Sequence, residues 1–87
     1  MNDILCEKDA GVVEEILTEE LGVQSEQLTF GARLMDDLGA DSLTLVEITM
    51  ALEDRFSLAI PDERLETVRT VGDLHEALAE LLQEQRR

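Results

Sequence analysis

Tryptophan and tyrosine are absent from this 87-residue sequence, and Phe30 and Phe56 are its only aromatics. Hydrophobic residues make up 44%, enough to fold one small domain, but the core must be aliphatic. An interior of Leu, Ile, Val, Met and Ala suits helices better than a twisted sheet. Cations are scarce as well. Lys8 and six scattered arginines face 21 Asp and Glu, for a formal net charge of −14. Nucleic acid demands clustered cations and anionic lipid repels such a chain, so neither is expected as a partner. A protein with a basic patch is attracted instead, with fast and salt-sensitive association. Cys6 is the sole cysteine, which excludes an internal disulfide; it reads as an incidental thiol in a loose tail. No apolar run can span a bilayer, and residues 1–8 lack the basic start and extended apolar stretch of a secretory leader. A cytoplasmic location is therefore expected. No Cys/His cluster has metal-ligand spacing, and Asp36, Asp37 and Asp41 lack that of a calcium loop, so no metal site is expected.

What remains is helical periodicity. Val13, Ile16, Leu17 and Leu21 predict a helix from about Asp9, its cap, to Leu21, with Glu14, Glu15, Glu19 and Glu20 in water and Gly22 as a left-handed stop. Residues 22–41 read as a long loop, pinned across the helices by Val23, Leu28, Phe30, Leu34 and Leu38, with a short helical turn around Leu34 to Leu38. A second helix runs from Asp41-Ser42 to about Phe56, its apolar stripe drawn from Leu43, Val46, Met50, Leu52 and Phe56 and widened by Leu45 and Ile48. Pro61-Asp62-Glu63 opens a short third helix. Thr70-Val71-Gly72-Asp73 resembles a capping box and starts the last helix, which runs to about Gln83 with Leu74, Leu78, Leu81 and Leu82 inward. Arg86 and Arg87 follow, where cations suit a helix C-terminus. The expected fold is all-α, a small bundle of three main helices plus one short one.

Chemistry concentrates at Asp36-Asp37-Leu38-Gly39-Ala40-Asp41-Ser42-Leu43. Gly39 permits a tight approach of loop to helix. Ser42 begins a helix, where unpaired N–H groups favour an anion such as a phosphodiester. From spacing alone, Ser42 or Asp41 reads first as a plain N-cap, because capping is a common use of such residues. His75 reads as an exposed helix residue, and nothing around it builds a Ser–His–Asp arrangement.

The run Asp37-Leu38-Gly39-Ala40-Asp41-Ser42-Leu43 resembles the signature of acyl carrier proteins, and Val46-Glu47, Met50-Ala51-Leu52-Glu53, Phe56 and Ile60-Pro61-Asp62-Glu63 continue it in register. Leu21-Gly22-Val23 and Thr70-Val71-Gly72-Asp73 extend the likeness to roughly residues 9 to 82. The resemblance implies a carrier domain over 9–83, between a flexible tail at 1–8 and a C-terminal tail at 84–87. It implies that a phosphopantetheinyl transferase moves 4′-phosphopantetheine from coenzyme A to Ser42, and that acyl groups ride as thioesters on that arm. The chain is then a monomeric carrier and no enzyme. Its partners are the transferase and acyl-transferring, ketosynthase or ligase enzymes with basic docking patches, in fatty-acid or polyketide-type biosynthesis. The matching acidic positions for such docking are Asp41, Glu47, Glu53, Asp54 and Asp62. Two positions depart from the commonest pattern: Thr44 and Arg55 each stand where an acidic residue is frequent. Leu43, Val46, Met50, Ile60 and Leu65 are the expected lining for an acyl chain between parted helices. Two other readings stay open. A peptidyl or D-alanyl-type carrier keeps the arm, although peptidyl carriers more typically show Gly-Gly-His/Asp-Ser-Leu. An acidic helical interaction module without an arm uses Ser42 only as a cap.

Overall fold

The computed structural model describes residues 6–85, and four α-helices account for most of them. In α1 (Glu7–Leu21), Val13, Ile16 and Leu17 are buried while the four expected glutamates face water. The helix starts two residues earlier than the spacing suggests. Cys6 is its N-cap, accepting the Ala10 N–H at 2.9 Å through its carbonyl, so Asp9 lies in the first turn and not at the cap position. Cys6 thus belongs to the helix start, with its thiol exposed. Gly22 ends α1 at φ 67°, donating to the Thr18 carbonyl, as a left-handed stop requires. Residues 1–5 of the expected tail, and Arg86 and Arg87, lie outside the described residues.

Helix α2 (Ser42–Phe56) packs on α1 with Ile48, Thr49 and Leu52 buried. The Thr49 hydroxyl is satisfied by donating to the Leu45 carbonyl at 2.8 Å, one turn back. Helix α3 (Asp62–Glu66) has Pro61 as its N-cap. Five residues hold no helix by themselves. Arg64 fastens this one to α4 (Val71–Gln85) through ion pairs with Glu80 and Glu84. Helix α4 runs two residues past Gln83 and buries Leu74, Leu78 and Leu82, with Leu81 partly covered. Its last residue, Gln85, reaches the Ser57 carbonyl at 2.7 Å, tying the far ends of α4 and α2 together. None of the described helices is long and apolar enough to cross a membrane.

The long connection from α1 to α2 is organised by backbone bonds to distant residues. After a 3₁₀ turn at Ser25–Gln27, residues 30–34 lie antiparallel to 69–72, joined by an isolated bridge between Arg33 and Thr70. The Phe30 and Ala32 carbonyls accept the N–H groups of Gly72 and Val71, and Leu34 N–H donates to the Arg69 carbonyl. The start of α4 is thus capped by the loop as well as by its own box. In that box Asp73 N–H donates to Thr70 Oγ1 at 3.0 Å, and Thr70 N–H donates to the Asp73 carboxylate at 3.2 Å. Leu34 and Leu38 are buried as expected, and a single turn between them closes on the Arg33 carbonyl. Phe30 is different: it is 60% exposed.

Phe30 lies 4.9 Å from His75, ring centre to ring centre. His75 is therefore half-buried and not the exposed residue its position suggests. Burial pushes its imidazole below the ordinary range, because the cation loses solvation there. A depressed pKa means the unfolded chain binds the proton more readily, so stability is held above the unfolded value of about 6.5 and lost as the pH falls below it. The expected result is a drop in melting temperature from pH 7 towards 5 that His75→Phe abolishes, followed by circular dichroism.

Candidate functional site

Asp41 precedes α2 in extended conformation, and its carboxylate accepts both the Thr44 N–H and the Thr44 hydroxyl, each at 2.8 Å. These bonds, the backbone one foremost, hold the Asp41 carboxyl below its usual range. Capping is thereby assigned to Asp41. Ser42, in the first helical position, is exposed and makes no side-chain hydrogen bond among the described residues. Thr44 replaces a charge with a second bond to the cap. The helix end is consequently less open to another anion than its dipole alone implies, since Asp41 already faces the first-turn N–H groups. What distinguishes Ser42 is access.

The approach to Ser42 is shaped by the preceding turn. Gly39 adopts φ 78°, the left-handed region that non-glycine residues enter at a cost. A Cβ at Gly39 meets nothing within 4 Å, so its reason is backbone conformation and not close approach. Asp37 accepts the Arg33 N–H at 2.9 Å, Arg33 reaches Asp36 at 3.2 Å, and Ala40 N–H donates to the Leu34 carbonyl at 2.8 Å. Buried Leu38 and Ala40 anchor the same turn in the core.

Helix α2 carries two apolar stripes, and only one is inward. Leu45, Ile48 and Leu52 pack into the core region, whereas Leu43, Val46 and Met50 are 67%, 50% and 61% exposed. Each exposed residue stands two positions before an inward one, which on a 3.6-residue helix is about 160° away. This corrects the expected acyl lining. Leu43, Val46 and Met50 face outward, Ile60 is buried in the core, and Leu65 lines a cleft.

The acidic positions separate as well. Glu47 and Asp54 are exposed and follow the Leu43–Met50 line at i+4 and i+11, and Asp41 is exposed at its head. Asp62 is exposed at the start of α3. Glu53 turns away: its carboxylate accepts the Ile60 N–H at 2.8 Å and holds the α2–α3 connection. Arg55 also leaves this face, pairing with Glu15 of α1 at 3.1 Å. Among the described residues no group of three or more His, Cys, Asp or Glu is placed to hold a metal. Sequence spacing could not reveal the cleft of about 630 Å³ between the 33–36 turn, Leu45 of α2 and residues 65–70. Its walls come from segments distant in the chain.

Comparison with known proteins agrees with this arrangement. Residues 11–78 match the family model for the phosphopantetheine attachment site. A solved structure from Mycobacterium tuberculosis, described as a candidate acyl carrier protein, superposes with a TM-score of 0.76 at 31% identity, covering 82% of this chain and 95% of that one. A domain of this kind carries 4′-phosphopantetheine covalently and serves as a carrier, not a catalyst. The chain belongs to the phosphopantetheine-binding carrier proteins, the family of the acyl carrier proteins.

Proposed function

We propose that Ser42 is the attachment residue and that the protein carries acyl intermediates in fatty-acid or polyketide-type biosynthesis. One observation carries the choice of residue: Asp41 does the capping and leaves the Ser42 hydroxyl exposed and uncommitted. The other serines are less suited. Ser25 opens the 3₁₀ turn, and Ser57 sits in left-handed conformation at the end of α2. The residues present fit the cofactor, because linking the Ser42 oxygen to phosphorus breaks no hydrogen bond within the described protein. In that step the Ser42 oxygen bonds the pantetheine phosphate of coenzyme A, 3′,5′-ADP leaves, and the hydroxyl proton passes to a base of the transferase. The bound arm supplies a terminal thiol that holds the cargo as a thioester.

Partner enzymes would dock on the outer side of α2. Leu43, Val46 and Met50 offer apolar area there, and Asp41, Glu47 and Asp54 offer charge to a basic patch. Incubation with coenzyme A and a broad-specificity transferase is expected to add the mass of one phosphopantetheinyl group, and Ser42→Ala to gain nothing while melting as the wild type does. An unchanged wild-type mass contradicts the reading.

A further inference from the structure

A separate groove of about 460 Å³ runs between α1, the 28–30 segment and the start of α4, and no residue of α2 lines it. Leu17 and Val71, both buried, form its floor. Ala10 and Gly11 supply one wall, and Leu28 and the 60% exposed Phe30 another. The Phe30 ring rests against His75 and its carbonyl accepts the Gly72 N–H at 2.9 Å, so this wall is held in place although it is uncovered. Glu7 and Glu14 are exposed on the rim and make no ion pair among the described residues.

Gly11 has no reason inside the chain. Glycine weakens a helix interior. Gly22 and Gly39 have positive φ, and a Cβ on Gly72 would stand 3.0 Å from the Phe30 carbonyl oxygen. A Cβ on Gly11, well within α1, meets nothing within 4 Å.

We infer that this groove is a second docking surface, and that it takes a basic amphipathic helix of a partner protein whose backbone approaches α1 at Gly11. Glu7, Ala10, Gly11 and Glu14 follow i, i+3, i+4, i+7 spacing, which makes one straight wall about 10.5 Å long. A helix laid along it sets apolar residues on Ala10, Leu28 and Phe30, and the small residues at 10 and 11 let the two axes come close. Its lysines or arginines meet the Glu7 and Glu14 carboxylates at either end. A second copy of this chain fits poorly, since a net charge of −14 repels itself and its few cations are scattered. Because α2 takes no part, the groove can be filled while Leu43, Val46 and Met50 are engaged elsewhere. The inference stands whichever serine carries the arm.

The probe is a short helical peptide of leucine and lysine, with leucines at i, i+3, i+4 and i+7, titrated into the full chain labelled with nitrogen-15. It is expected to shift the amides of Ala10, Gly11, Phe30 and Val71 to His75. Those shifts should persist when Leu43→Ala and Glu47→Lys remove the competing surface on α2. Gly11→Leu fills the groove and should weaken the peptide at least about tenfold. Gly11→Ala should weaken it by a smaller factor while raising the melting temperature by about 4 °C, a gain in stability coupled to a loss of binding. A peptide with glutamate at every lysine should not bind. Shifts confined to α2, binding that survives Gly11→Leu, or a dimeric wild type at the concentration used overturns the inference. So does a shift of residues 2–5 when Gly11→Leu is made without peptide, since the occupant is then the chain's own start.

Discussion

Leu52→Ala is expected to lower the unfolding free energy by about 3 kcal/mol, while Leu43→Ala, nine residues earlier on the same helix, changes it by no more than about 0.5 kcal/mol. Leu52 is fully buried between α2 and the rest of the core, so truncation removes its packing and leaves a cavity that neighbours fill only in part. Leu43 is 67% exposed and leaves nothing behind. Domains of this size are stable by about 5–15 kcal/mol, so the first change is a large share of the total. Urea titration followed by helical circular dichroism measures both. Equal losses at the two positions would mean that α2 is rotated from the orientation described here.

The same exposed side chains should matter greatly to a partner. Leu43→Ala combined with Glu47→Lys is expected to reduce kcat/KM of the transferase for this carrier by more than about tenfold, with little change in melting temperature. The apolar truncation removes area from the centre of the proposed docking surface, and the charge reversal opposes a basic patch. Because the charge acts at long range, the loss should be greatest at low ionic strength and shrink as salt is added. Glu53→Gln is the useful contrast. Its carboxylate holds the Ile60 N–H, so its replacement should disturb the α2–α3 connection more than the encounter with the enzyme. A transferase indifferent to Leu43 and Glu47 would place docking elsewhere.

The helices are readable from sequence where one apolar stripe runs through polar residues. In α1 and α4 the i, i+3, i+4 spacing marks the buried side correctly, and Gly22 and the Thr70–Asp73 box mark ends through chemistry internal to a few residues. Helix α2 defeats the same rule. Apolar residues on two sides merge into one wide stripe, and nothing local says that Leu43, Val46 and Met50 are outside. The exposed stripe is itself informative, since a chain so rich in charge has no need of three large apolar residues in water unless something covers them. Contacts across long separations were equally hidden: Arg64 with Glu80 and Glu84, Arg55 with Glu15, and residues 30–34 with the start of α4. At the site, the run from Asp37 to Leu43 identifies the segment, but the division of labour between Asp41 and Ser42 rests on the Thr44 bonds, which only coordinates display. The cleft between the 33–36 turn, Leu45 and residues 65–70 has no sequence signal at all, because its walls meet only when the chain is folded.

The most direct measurement is peptide mapping by tandem mass spectrometry of the protein after treatment with coenzyme A and a transferase. The geometry around α2 predicts the added group on Ser42 alone, with Ser25 and Ser57 unmodified. Modification at either of those residues with Ser42 left bare would contradict the claim that an uncommitted hydroxyl beside an occupied cap is where this carrier holds its arm.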